Sequence, residues 1–200
     1  MSRKTPTQAR ALATRRAILN AAHALLETHE PEDIGTVQIA ERAGVPVGSI
    51  YRYYANRSDI FRALAQEAME LVDAPLESML LAGLSIEVLV RQAVGLLLAA
   101  NTVADRRLQR YTRLSPDLND VWVTSNLRVE MAVAGSILAR NPALDDQTRT
   151  AAARVLIQAV LAGIDAIIKC DDADARGRLQ GELVTMAVAY VKELLARTDP

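Results

Sequence analysis

The chain is short of the residue types and patterns that most chemistry requires. It has one cysteine, Cys170, which excludes an internal disulfide framework and a cysteine-based zinc site and fits a reducing compartment. A redox role through an intermolecular disulfide finds no help nearby, because Asp171 and Asp172 would raise the thiol pKa. The two histidines, His23 and His29, lack metal-ligand spacing and are expected at the surface or as caps. There is no Gly-rich phosphate loop, metal-ligand cluster or nucleophile elbow. No catalytic residue, metal or cofactor is therefore assigned, and an enzyme is disfavoured. The amino-terminal segment has charge without an apolar core long enough for a signal peptide. The longest apolar runs, 93–100 and 155–168, are too short or are broken by Gln158 and Asp165, so no membrane partner is expected and a cytoplasmic location is read. From about Pro75 onward, repeats, low-complexity segments and strand-like alternation are missing too, in keeping with an all-α fold.

Half of the 200 residues are apolar, enough for a sizeable core in one large or two modest domains. The net charge of −1 and pI near 6.2 argue against a surface that coats nucleic acid throughout. Charge is nevertheless uneven: Arg3, Lys4, Arg10, Arg15 and Arg16 all precede the first acidic residue, Glu27. Such a basic block is a sufficient local footprint on a polyanion. Residues 1–8 read as a flexible arm with weak phosphate contact. Residues 8–28 read as a helix with Leu12, Ile18, Ala21, Ala22, Leu25 and Leu26 on one face. Pro31 and Gly35 mark the loop that follows it.

The chain is organised around residues 36–61. Thr36 is read as the N-cap of a short helix, and Gly44 ends it in a left-handed conformation. A second short helix is expected over 47–54. Val37, Ala40, Ala43, Val45 and Ile50 supply the apolar side of a tight two-helix unit, which leaves Val47, Gly48, Ser49, Tyr51, Arg52 and Tyr53 facing outward. Those groups suit phosphates and base edges better than an apolar partner. Asn56 offers the next cap, with Asp59 as an imperfect box partner. Arg57 then falls in a first helical turn, where its charge opposes the helix dipole, and an external anion would explain it.

The run T-V-x-x-I-A-E-R-A-G-V-P-V-G-S-I-Y-R-Y-Y-x-N-R-x-D-I-F resembles the helix-turn-helix signature of the tetracycline-repressor (TetR) family, over the first quarter to third of the chain. Two positions depart from that pattern: Tyr54 stands where the family usually carries Phe, so a core phenol needs a partner, and Arg57 stands where Lys is common. The resemblance implies a three-helix helix-turn-helix DNA-binding domain over 1–58, and a helical effector-binding and dimerisation domain over 59–200. It implies double-stranded operator DNA as partner, with Thr36, Tyr51, Tyr53 and Arg57 on phosphate. Val47, Gly48, Ser49 and Arg52 would face the bases or the groove. It also implies a small-molecule effector that releases the protein, and a homodimer through the last two helices. A DNA-binding protein of the same fold without a switch is the alternative.

Downstream, a helix from Asn56 is expected to stop near Asp73, Ala74 and Pro75, and by resemblance it acts as a lever between ligand and DNA. Further helices are expected over 86–101, 105–114, 116–140, 145–170 and 175–197, with Ser115 and Pro116 opening the third. Candidates for lining an apolar effector pocket are Leu97, Tyr111, Trp122, Asn126 and Met131. Arg106, Arg110 and Arg113 share a helix face with Arg107 beside them. They form either an anionic-ligand site or a solvated face paired with Asp117 and Asp120. The last two helices are apolar on more than one face, with small residues among large ones, as close helix packing and a partner chain would require.

Overall fold

The computed structural model describes residues 6–197, so the arm, with Arg3 and Lys4, lies largely outside the described residues. The fold is all-α. Helix α1 spans Pro6–Leu26 and is followed by a one-turn 3-10 helix, Pro31–Asp33. Helices α2 (Thr36–Ala43), α3 (Val47–Ile50) and α4 (Arg57–Leu81) come next, then α5 (Ile86–Ala99), α6 (Val103–Leu114), α7 (Asn119–Arg140), α8 (Asp146–Ile168) and α9 (Ala173–Ala196). Several starts are fixed by side chains, since Ser85, Thr102, Asp145 and Asp172 accept from the amides of Val88, Asp105, Thr148 and Ala175.

Packing divides the chain into two compact units. The first comprises the described residues up to Met69 together with Thr102–Trp122. Its core joins Ile18, Ala22 and Leu26 of α1 to Ile34, Ile39, Ile50, Ile60 and Phe61, and to Leu108 of α6. Helix α6 enters this unit because Ala104, Leu108 and Thr112 form its buried side. The Trp122 indole N–H donates to the buried Thr112 hydroxyl at 2.7 Å. The second unit takes in Glu70–Asn101 and the described chain from Val123 onward. There α5, α8 and α9 meet around Val94, Ile164, Ile167, Leu183 and Val184. A second cluster gathers Leu80, Leu89, Val133, Ile137, Leu144, Ala153 and Leu194.

Several elements differ from the sequence expectation. Helix α4 does not stop at Pro75 but continues to Leu81. The missing N–H of Pro75 would have served the carbonyl of Leu71, and Leu71 is 73% exposed, on a side of the helix open to solvent. Ser115 and Pro116 open a turn rather than α7: the amides of Leu118 and Asn119 both return to the Ser115 carbonyl, and α7 begins at Asn119. Leu12 and Val37 are exposed and add nothing to the core. Helix α8 also has the length and apolar character of a candidate membrane span, with a mean hydropathy of 1.8 over 18 residues of which 22% are buried. Gln158 and Asp165 therefore do not disqualify it by composition.

Candidate nucleic-acid interface

The start of α2 is set by Gly35, not Thr36. Gly35 is the extended residue before the helix, and its amide donates to the Gln38 side chain at 2.7 Å. Thr36 is instead the first helical residue, and its hydroxyl meets the Tyr51 hydroxyl at 3.3 Å. This contact ties the opening of α2 to the segment after α3. At its other end α2 closes on Gly44, whose φ of 66° is the left-handed conformation that glycine adopts without strain. The Val45 amide then returns to the Ala40 carbonyl at 3.0 Å. Pro46 precedes α3, and Ile39, Ala40 and Ile50 are fully buried where the two helices cross the first-unit core.

Regular α3 covers only Val47–Ile50. Turn hydrogen bonds carry the coil on, from the Arg52 amide to Ser49 and from the Tyr53 and Tyr54 amides to Ile50. Gly48, Tyr51 and Arg52 are exposed, with Tyr51 at 56%. Ser49 is half-buried, while Val47 and Tyr53 are half-buried and packed on the core. The structure thus joins Thr36 to Tyr51, leaves Gly48, Tyr51 and Arg52 exposed with Thr36 and Ser49 half-buried, and packs Val47 and Tyr53 partly against the core.

Arg57 is the main correction. Asn56 does cap α4, since its side chain accepts from the Asp59 amide at 3.0 Å, and the Asp59 carboxylate reaches back to the Ala55 amide at 3.0 Å. The Arg57 guanidinium, however, does not await an external anion. Its Nη1 donates to the carbonyls of Pro31, Glu32 and Ile34 at 3.3, 2.9 and 3.2 Å, and its Nη2 to the Tyr111 hydroxyl at 3.3 Å. Internal acceptors account for a cation that the helix dipole disfavours.

Two of the basic residues of α6, Arg107 and Arg110, are likewise engaged internally. Arg107 and Arg110 grip the Glu30 carboxylate from both oxygens, at 3.0 and 2.5 Å, and Arg107 also donates to the Leu26 carbonyl at 2.8 Å. The acids expected to pair with them, Asp117 and Asp120, serve Arg62 instead, through the Asp117 carbonyl and the Asp120 carboxylate. Arg107, Arg110, Tyr111, Pro31, Glu32, Leu114 and Ser115 border a surface cleft of about 210 Å³.

The five effector candidates occupy different surroundings. Tyr111 and Trp122 pack on the first-unit core, and Leu97 packs beside Val94 in the second unit. Asn126 is half-buried and Met131 is 67% exposed. The sequence reading missed the Arg57 acceptors and the carboxylate Asp73. Asp73 is 5% exposed, accepts from the Ser125 hydroxyl at 2.8 Å and is pushed above its ordinary pKa chiefly by burial. The one signal for it was a charge on the apolar side of α4. Among the described residues no group of three or more His, Cys, Asp or Glu side chains is placed to hold a metal ion.

The family model for bacterial regulatory proteins of the tetR family matches residues 18–64, a span that begins in α1 and takes in all of α2 and α3. The HTH-type transcriptional repressor LfrR of Mycolicibacterium smegmatis is 44% identical over 64 residues. That alignment covers 32% of this chain and 33% of LfrR, so the likeness spans about a third of that relative. Solved structures extend the fold over nearly the whole chain. One, from Mesorhizobium loti and assigned to the TetR-family transcriptional regulators, superposes with a TM-score of 0.72 over 94% of this chain and 97% of its own at 19% identity. Another, a protein from Pseudomonas aeruginosa PAO1 assigned as a transcriptional regulator, gives 0.74 over 91% and 90% at 15% identity. The chain therefore carries the amino-terminal module of the TetR family of bacterial regulatory proteins on a TetR-family fold.

Proposed function

We propose that the chain is a DNA-binding transcriptional repressor in the cytoplasm, acting as a homodimer and released from its operator by a small-molecule effector. The observation that carries the reading is the surface presented by α2, α3 and the turn after them, inside the segment that matches the family's amino-terminal module. Paired copies of this surface would enter successive major grooves about 34–36 Å apart. Thr36 and Tyr51 are assigned to phosphate, with Tyr53 beside them through its hydroxyl end. Gly48, Ser49 and Arg52 are assigned to the groove, and Val47 to its apolar edge. Arg57 leaves the phosphate set because Nη1 and Nη2 of its guanidinium already donate to internal acceptors. The functional boundary stays at residues 58 and 59, with 59–200 as the effector-binding and dimerisation part.

The test is selection of duplexes from a random library by the purified chain. The expected product is a palindromic or pseudo-palindromic site. Arg52→Ala should weaken binding to that site by about 1–3 kcal/mol and relax preference at one base position of each half-site. An Arg52→Ala protein with the parent's affinity and sequence profile would remove Arg52 from the interface. A second reading, DNA binding on the same fold without a switch, is favoured by the dispersal of Leu97, Tyr111, Trp122 and Met131. Screening a small-molecule library for release of the selected duplex separates the two.

A further inference from the structure

Arg57 joins three segments of the first unit. Its Nη1 holds the carbonyls of Pro31, Glu32 and Ile34, and Ile34 lies just ahead of the Gly35 that opens α2. Its Nη2 holds the Tyr111 hydroxyl on α6. Arg57 itself is the first residue of α4. The guanidinium lies 5.9 Å from the centroids of both Phe61 and Tyr111, two rings that meet edge-on at 5.4 Å. Helix α6 grips the same corner a second time, where Arg107 and Arg110 close on Glu30 and Arg107 reaches the Leu26 carbonyl.

A planar fork of donors can serve several carbonyls and a phenol at once, whereas a lysine ammonium is a strongly hydrated point charge on a flexible stem. We infer that Arg57, anchored on α6 through Tyr111, is a positioning residue that fixes how α2 and α3 are presented to DNA, acting through geometry and not through charge on a phosphate. The inference rests on the DNA-binding reading above and deepens it. It makes the seating of α6 on the 31–34 corner a determinant of DNA affinity.

The experiment uses full-length Arg57→Lys, Arg57→Gln and Tyr111→Phe, with the duplex that the unsubstituted chain selects from a random library. Affinity is measured across a salt series, and amide hydrogen exchange is measured in the free proteins. A positioning role predicts that Lys fails to rescue: Arg57→Lys and Arg57→Gln lose affinity alike, by roughly ten- to a hundredfold. Tyr111→Phe, a mild change that preserves packing, should lose roughly three- to tenfold. All three should keep the parent's slope of log affinity against log salt. Amides of residues 34–40 should exchange faster in all three while those of α9 do not, which separates a displaced corner from general destabilisation.

A phosphate ligand gives the opposite pattern. Lys would retain affinity, and Gln would flatten the slope by about 0.9 per lost contact; either result overturns the inference. Parental affinity and parental exchange in Tyr111→Phe and Arg57→Lys overturn it as well. If the unsubstituted chain selects no duplex, the regulator reading fails, and unchanged exchange at 34–40 would separately overturn the positioning role of Arg57.

Discussion

Tyr54 carries a hydroxyl that is buried and has no partner among the described atoms, while its ring packs in the first-unit core under the Arg15 guanidinium at 5.8 Å. An unmet buried donor costs roughly 1–3 kcal/mol, and replacement by an apolar group of the same shape removes that cost. Tyr54→Phe should therefore raise Tm, by roughly 2–4 °C for each kcal/mol in a chain of this size, and leave DNA affinity unchanged. A fall in Tm in calorimetry would mean that the hydroxyl has a partner after all. Asp73 makes the converse case, an ionisable group kept where charge is costly. Burial raises its pKa above the ordinary carboxylate value, Glu70 and Glu77 push it the same way, and the Ser125 hydrogen bond and the Arg128 charge oppose the rise. Because the folded pKa is raised, the stability that protonated Asp73 contributes is complete below the unfolded carboxylate pKa. It is lost as pH rises through the folded value. Asp73→Asn, which keeps an acceptor for Ser125, should raise Tm at neutral pH by roughly 2–4 °C. The gain should shrink as pH falls toward about 4. A gain that stays constant with pH would show that the carboxylate is not the cause.

At the scale of elements, the contact between α8 and α9 depends on one missing side chain. A Cβ on Gly163 would lie 2.5 Å from Cδ1 and 2.9 Å from Cδ2 of the buried Leu183, whose side chain would have to shift to accept it. Gly163→Val should destabilise the protein by about 1–3 kcal/mol through overpacking, seen as a lower urea midpoint. Reducing Leu183 to Ala in the same chain should recover part of the loss, and a second-site change without effect would place the strain elsewhere. The small-residue pattern in these helices was legible in the sequence, as were the Gly44 stop, the Asn56 cap with Asp59 and the run of helices from α5 to α9. Each of those is a local signal, readable from a few neighbouring residues. What escaped depends on partners far along the chain. Arg57 meets carbonyls 23 to 26 residues upstream and a phenol 54 residues downstream. Pro75 marks a stop only if the lost hydrogen bond is weighed alone, whereas α4 runs through it. By residue type Thr36 suits a cap, yet the extended Gly35 stands at that position and leaves the threonine hydroxyl for Tyr51. That Tyr111 and Trp122 pack with the first unit while Leu97 lies in the second is likewise invisible to local periodicity.

For the molecule as a whole, the exposed sides of α8 and α9 are where the proposed homodimer would form. The inner side of α8 buries Ala152, Ala153, Ile164 and Ile167. Its outer side leaves Ala151, Val155, Gln158, Ala162 and Ala166 exposed in helical register, with Val155 at 58%. Leu179, Met186 and Ala189 are exposed on α9. Mostly small and apolar side chains on two long helices suit close approach by matching helices, and a C2 pairing of the same surface is the commonest way to cover it. A stable pairing would bury on the order of 1,200–2,000 Å². Introducing charge there should separate the copies without disturbing the inner packing, so Ala162→Glu combined with Met186→Glu should convert a dimer to a folded monomer in sedimentation analysis. Operator affinity should then fall by roughly a hundredfold or more, because each half-site is held singly and the gain from linked binding is lost. The single-copy affinity for an isolated half-site should stay at the parent's value, since Thr36, Gly48, Ser49, Tyr51 and Arg52 lie in the other unit. A variant that remains dimeric would move the interface off this surface, and a monomeric variant with full operator affinity would show that pairing of two recognition surfaces is not what holds the protein on DNA.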